Sequence, residues 1–251
     1  MLIIAANTFK ETIRNKVLYN ILLVAAVALM LSLSFGDLSV FSRAQVMTDF
    51  GLATMSLTGL LMAIFIGVGL LGVEISNKTV YGVLSRPVSR EAFITGKFAG
   101  LAATLIVNFI LIAGVFFAGI RSLGVSVAPA VILAVVLLLV EMLLITAAAI
   151  FFSTFTTPTL AAIFTIGFYC AGHLNDLMNI GLQHQKSAVW QTILKALNAT
   201  LPNLEFFNIR TRVVYDLPIP DSFVIQAGVY GILYTLLLLL FSMLIFTRKD
   251  V

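Results

Sequence analysis

Glu74-Ile-Ser-Asn-Lys-Thr-Val-Tyr-Gly-Val-Leu-Ser-Arg-Pro-Val-Ser-Arg-Glu-Ala-Phe-Ile-Thr-Gly-Lys97 separates two long apolar runs and decides how the rest of the chain is read. The stretch carries six charges in 24 residues, four of them Lys or Arg. A charged segment between two membrane-length apolar runs must lie outside the hydrocarbon. Its basic excess places it on the cytoplasmic side. It is too short for a domain and too patterned for a plain linker, so it reads as a handle for something soluble.

Outward from that stretch, the 251 residues are 61% hydrophobic and only 10% charged, with a mean hydropathy of +1.10. Soluble domains carry about 25% charged residues. No water-soluble fold of this length hides so much apolar side chain, so the expected class is an all-α polytopic membrane protein. The pI near 9.3 is read as positive-inside anchoring of spans rather than as a nucleic-acid surface. The single cysteine, Cys170, allows neither an intrachain disulfide nor a cysteine metal cluster. The opening Met1-Leu-Ile-Ile-Ala-Ala-Asn-Thr-Phe-Lys10 lacks the order of a cleavable signal, so the first span is expected to serve as its own insertion signal.

A span needs about 20 apolar residues. Six segments qualify: about 17–35, 51–73, 97–120, 129–152, 158–180 and 223–247. Residues 1–16 differ. Leu2, Ala6, Phe9 and Ile13 recur at helical spacing opposite Asn7, Lys10, Glu11 and Arg14, which predicts an amphipathic helix in the membrane interface. The alternative is an extension of the first span. Six crossings put both termini on one side. Lys10, Arg14, Lys16, Arg248 and Lys249 then join the four cations of 74–97 on the cytoplasmic face. The outer segment 181–222 holds a helical stripe at Ser187–Leu197, then Leu201-Pro-Asn-Leu-Glu-Phe-Phe-Asn208 and proline-rich Asp216–Asp221. It predicts short helices packed on the outer face or partly re-entrant.

Gly67-Val-Gly-Leu-Leu-Gly72 matches G-x-G-x-x-G formally. A dinucleotide site needs a preceding strand and a βαβ unit, so these glycines are read as allowing close helix approach. Gly96-Lys97 is no P-loop, because Glu91 stands where Gly is required and Phe98 where Ser or Thr is. Any ATP must therefore be brought by another polypeptide. Glu141 is the one acidic residue in the middle of an expected span. A carboxylate there costs about 2.5–3.5 kcal/mol on insertion scales, so it should face protein or water. It is either a proton or substrate site or a structural hydrogen-bonding group, and Asn108 in the third span is its candidate partner by depth. His173, Asp176 and His184 cluster near the outer end of the fifth span, as a metal site or an interfacial polar cap. Their spacing matches no metal motif, and no H-E-x-x-H or Ser/His/Asp arrangement is present.

At the 74–97 segment a family pattern emerges. Glu74 at the inner end of the second span, then Lys78-Thr-Val-Tyr-Gly-Val-Leu-Ser-Arg-Pro-Val-Ser-Arg90, then Thr95-Gly-Lys97 resembles the permeases of ABC-2 type ABC transporters. The resemblance extends to the amphipathic start, the six-span layout and Leu201–Asn208, and it looks closest to the small permeases of the multicopper-enzyme-maturation group. Many of these carry Gly-Thr where this chain has Lys78-Thr79.

The resemblance implies a transport subunit rather than an enzyme, working as an exporter, and no cofactor on this chain. ATP and Mg would sit on a separate cytoplasmic ABC ATP-binding subunit, and two permease chains would pair, a homodimer being expected, in the cell (inner) membrane. Segment 74–97 would hold the coupling helix, with Glu74, Lys78, Thr79, Tyr81, Leu84, Arg86, Pro87 and Arg90 meeting that subunit. Pro87 breaks the segment, Ser89 can cap a short helix and Glu91 suits its N-terminal end. Segment 181–222 would gate the exit or dock an extracytoplasmic partner, and no nucleic acid is expected. The rival reading is a self-contained ion-coupled transporter or channel that uses Glu141. It explains Glu141 directly and leaves the patterned inner loop unexplained.

Overall fold

A computed structural model of the protein describes residues 1–37, 43–72, 89–122, 124, 126–174, 190–192 and 201–248. Of the expected coupling residues, Glu74, Lys78, Thr79, Tyr81, Leu84, Arg86 and Pro87 lie outside the described residues, as do Asp176 and His184. The described elements are α1 (Leu2–Ile13), α2 (Lys16–Asp37), α3 (Arg43–Ile66) running into a π-helical turn (Gly67–Gly72), α4 (Arg90–Ser122), α5 (Pro129–Phe155), α6 (Pro158–His173), a 3-10 turn (Leu204–Phe207), α7 (Arg210–Val214) and α8 (Asp221–Arg248). Among the described residues all regular structure is helical.

Four stretches are long and apolar enough to cross a membrane: Ala44–Gly69, Arg90–Ser122, Pro129–Phe155 and Asp221–Arg248. Leu2–Ile13 and Lys16–Ser32 pass together as a fifth, across a bend of 58°. That bend separates α1 from α2. The Asn15 side chain accepts the Val17 N–H at 3.0 Å and so starts α2 afresh. Helix α6 has 16 residues, roughly 24 Å at helical rise, and ends at His173 with Leu174 as its C-cap; residues 175–180 of its expected span lie outside the described residues.

Two boundaries move. The second expected span begins at Arg43 rather than 51, because the helix continues through Asp49 and its neighbours beyond the apolar run. The third begins at Arg90 rather than 97. Ser89 Oγ does accept a backbone N–H, from Ala92 at 3.2 Å, but the helix it caps is the 33-residue α4 and not a short one. Lys97, expected at the mouth of this span, is instead buried two turns inside it, with its ammonium 5.8 Å from the Phe93 ring centroid.

Helix α5 is the hub, packing on α3, α4, α6 and α8. Pro129 and Pro158 open α5 and α6 at first-turn positions, where a missing N–H costs nothing. Core hydroxyls are satisfied within their own helices: Thr146 donates to the Met142 carbonyl, Ser153 to Ala149 and Thr235 to Gly231. Gly67 permits close approach as expected, since a Cβ there would lie 2.5 Å from that of Ala149, whereas Gly69 faces open space.

The face of α1 that meets the bundle is not the apolar stripe. Thr8 and Thr12 are buried, while Leu2 and Ile3 are exposed. A Cβ on Gly100 would lie 2.6 Å from the Ala5 carbonyl oxygen, and one on Gly96 would lie 3.0 Å from Ile4 Cβ. Gly96 and Gly100 form a G-x-x-x-G seat on α4 for α1. At the same end, Arg90 Nη1 donates to the carbonyls of Phe246 and Thr247 at 3.2 and 3.0 Å, closing the C-terminus of α8. Arg90 was expected to face water or a partner. It is half-buried here against its own chain, because the last carbonyls of a helix need donors.

Candidate functional site

Helices α5 and α6 form a tight antiparallel hairpin. Glu141 lies fourteen residues before Phe155, where α5 ends, and His173 lies fifteen residues after Pro158, where α6 begins. Equal helical rise on both sides brings the two to one level. His173 Nε2 sits 2.9 Å from Glu141 Oε1. Its Nδ1 sits 3.2 Å from Glu205 Oε2, on the 3-10 turn. Asn203 starts that turn by accepting the Glu205 N–H at 3.1 Å, and Glu205 Oε1 accepts from Asn208 at 2.9 Å.

The turn is wedged in by its apolar residues. Leu204 and Phe207 are buried, and the Gly172 and Gly231 positions leave room for them: a Cβ there would lie 2.5 Å from Leu204 and 2.9 Å from Phe207. The Tyr230 hydroxyl accepts the Asn203 N–H at 2.9 Å. Tyr169, one turn before His173, meets its ring edge-on at 4.6 Å and shares a 3.2 Å hydrogen bond with Ser56 of α3. The imidazole is thereby held on both nitrogens and one face.

Side-chain exposure rises along the row, from 1% at Glu141 to 23% at His173 and 37% at Glu205. Glu141 Oε2 is buried without a hydrogen-bond partner among the described residues. Glu141, Tyr169 and His173 line a cavity of about 180 Å³, walled by Leu52, Leu138 and Phe207. Its rim carries Arg210, which donates from Nε and Nη2 to the two oxygens of Asp49, at 2.5 and 2.8 Å. This bidentate bond raises the Arg210 pKa further, so the guanidinium stays charged throughout the physiological range.

Glu141 thus faces protein, as expected, but its partner is not Asn108. The Asn108 amide donates to the Thr104 carbonyl of its own helix at 2.8 Å. The pair Glu141–His173 was missed because His173 was placed near the outer end of a span running to 180. Counting from the Phe155–Pro158 turn would have found it. No group of three His, Cys, Asp or Glu side chains among the described residues is arranged to hold a metal ion. The two carboxylates take opposite nitrogens of the ring and therefore lie on opposite sides of it.

The fold and this site define an all-helical chain with four to five membrane-length helices and a buried acidic–imidazole row, which fits a membrane protein. Compared with known proteins, the chain matches no family model and no curated protein.

Proposed function

We propose that this chain is the membrane permease subunit of an ATP-driven transporter of the ABC-2 type, working as an exporter. In this reading six spans cross the cell membrane, both termini are cytoplasmic, and segment 74–97 docks a separate ATP-binding subunit that carries ATP and Mg. A second permease chain completes the pathway. ATP-driven closure of the partner subunits would shift the bundle between two access states.

The observation that carries the reading is the convergence of α1, the start of α4 and the end of α8. The start of α4 holds α1 through Gly96 and Gly100 and holds the end of α8 through Arg90. The N-terminal helix, the end of α8 and the residues that follow 74–88 therefore share one end of the bundle, which supports a single docking face there. The Glu141 row lies away from that end, level with the middle of α5.

Purification of the tagged chain from native membranes in mild detergent, followed by mass spectrometry, tests the proposal. A stoichiometric ATP-binding protein, lost on Arg86→Glu, is expected. A folded chain with no such partner overturns it. Arg86 is preferred to Arg90 because the latter closes α8. The second reading, an ion-coupled transporter or channel, is favoured by one observation: a buried carboxylate in contact with an imidazole beside a cavity.

A further inference from the structure

We infer that Glu141, His173 and Glu205 form a proton relay, with Glu141 as a buried proton-storage site loaded from Glu205 through the His173 ring. The inference holds whether or not ATP drives transport, and it concerns a site that the coupling loop does not involve.

Two hydrogen bonds, at 2.9 and 3.2 Å, flank one imidazole, and each needs one hydrogen. Two carboxylates accept and never donate when ionised. The row therefore holds two protons. Both can sit on the ring, as an imidazolium between two carboxylates, and two further arrangements with the same hydrogen bonds keep one proton on the ring and one on a carboxylate. In one, Glu205 is protonated and donates to Nδ1, while the Nε2–H donates to Glu141. In the other, Glu141 is protonated and donates to Nε2, while the Nδ1–H donates to Glu205. Passing between them breaks the Glu205 O–H and Nε2–H bonds and forms the Nδ1–H and Glu141 O–H bonds. One proton leaves Glu205, one arrives at Glu141, and the net charge is unchanged. No ring rotation is needed for the transfer; the ring must turn or re-protonate only to reset.

The surroundings support direction. The three groups grade from exposed to buried in the order Glu205, His173, Glu141. Glu141 Oε2 has no partner among the described residues, so the inner carboxyl retains an oxygen that can carry the stored proton toward the cavity it lines. A permanently ionised carboxylate with an orphaned oxygen at this depth is costly; a carboxyl that is neutral for part of its cycle is not. The other titratable groups on the packed elements include Tyr169 and Cys170 on α6, Asp49 on α3, Arg90, Glu91, Lys97 and Arg121 on α4, Arg210 and Arg212 on α7 with Tyr215 after it, and Asp221, Tyr230, Tyr234 and Arg248 on α8. Asp49 and Arg210 engage each other, and Tyr169 engages Ser56. Among the described residues the one side-chain contact that joins Glu141 to the exposed side runs through His173.

The test is infrared difference spectroscopy of the full chain in lipid nanodiscs, following the carbonyl stretch of a protonated carboxyl during H/D exchange between about pH 5 and 9. The expected result is a carboxyl band that disappears in Glu141→Gln. Its exchange should slow by at least about tenfold, equivalent to 1.4 kcal/mol of barrier, in both His173→Phe and Glu205→Gln. Glu205→Gln changes an exposed side chain and keeps the fold testable if His173→Phe does not fold. Unchanged exchange in Glu205→Gln, or no band assignable to Glu141 at any pH in the range, overturns the relay. Neither result bears on whether an ATP-binding subunit is bound.

Discussion

Glu141 and His173, thirty-two residues apart in sequence, meet at 2.9 Å because the α5–α6 hairpin counts nearly the same number of residues on each arm. The contact places a carboxylate that is 1% exposed against the one ring that links it to the surface of the bundle. His173→Phe leaves the carboxyl buried without that partner and should destabilise the chain by about 1–3 kcal/mol. The double variant Glu141→Leu/His173→Phe should recover at least half of the loss, since removing both partners removes the unmet demand. Thermal unfolding in detergent reads both. Equal loss in single and double variants would show that the contact carries little of the stability.

Arg210 and Asp49 join α7 to α3 and so hold the segment after the 3-10 turn against the bundle. Both side chains are about 40% exposed, at 41% and 39%. An ion pair of that exposure contributes ~0–1 kcal/mol, so Arg210→Glu should hardly move the unfolding midpoint. It should nevertheless raise amide hydrogen exchange over 201–214, and Asp49→Arg/Arg210→Glu should restore protection.

The seat of α1 on α4 depends on missing side chains. Gly100→Val puts a Cβ 2.6 Å from a backbone oxygen of α1, which has no rotamer to yield. We expect α1 to lift, at a cost of about 1–3 kcal/mol, visible as faster exchange of α1 amides. Gly114→Ala, on the same helix but with nothing within 4 Å, should leave α1 unchanged.

How much of this could be read from the sequence differs from element to element. The helices opening at Pro129 and Pro158 were legible because proline marks a first helical turn and apolar runs follow. The start of α3 was not. Arg43 and Asp49 look like loop residues until Arg210 is known to sit against Asp49, and a contact across 161 positions leaves no periodic trace. The Thr8–Thr12 face of α1 was hidden for a similar reason. The apolar stripe begins at Leu2, which is exposed, while the packed face is Ile4, Ala5 and Thr8 opposite glycines, with Thr12 buried beyond them. Glu141 stood out as a lone mid-span acid, yet its partner required the register of the hairpin. Residues 73–88, which carry most of the family resemblance, lie outside the described residues.

The proposed six-span arrangement makes a prediction about sidedness. In a Cys170→Ser background, single cysteines replacing Asn15 and Glu91, both exposed, should react with a membrane-impermeant maleimide from the same side. A cysteine replacing exposed Asn208 should react from the opposite side. Labelling of Glu91 and Asn208 positions from one side would contradict the six-span arrangement.

The central claim is that segment 74–97 grips an ATP-binding subunit, and site-specific photo-crosslinking in native membranes tests it most directly. A photo-reactive amino acid would replace Arg86 in one variant and Asn208 in another. The account predicts that the Arg86 position captures an ATP-binding protein, identified by mass spectrometry, and that the Asn208 position does not. Capture from Asn208, or no ATP-binding protein captured from Arg86, would contradict it.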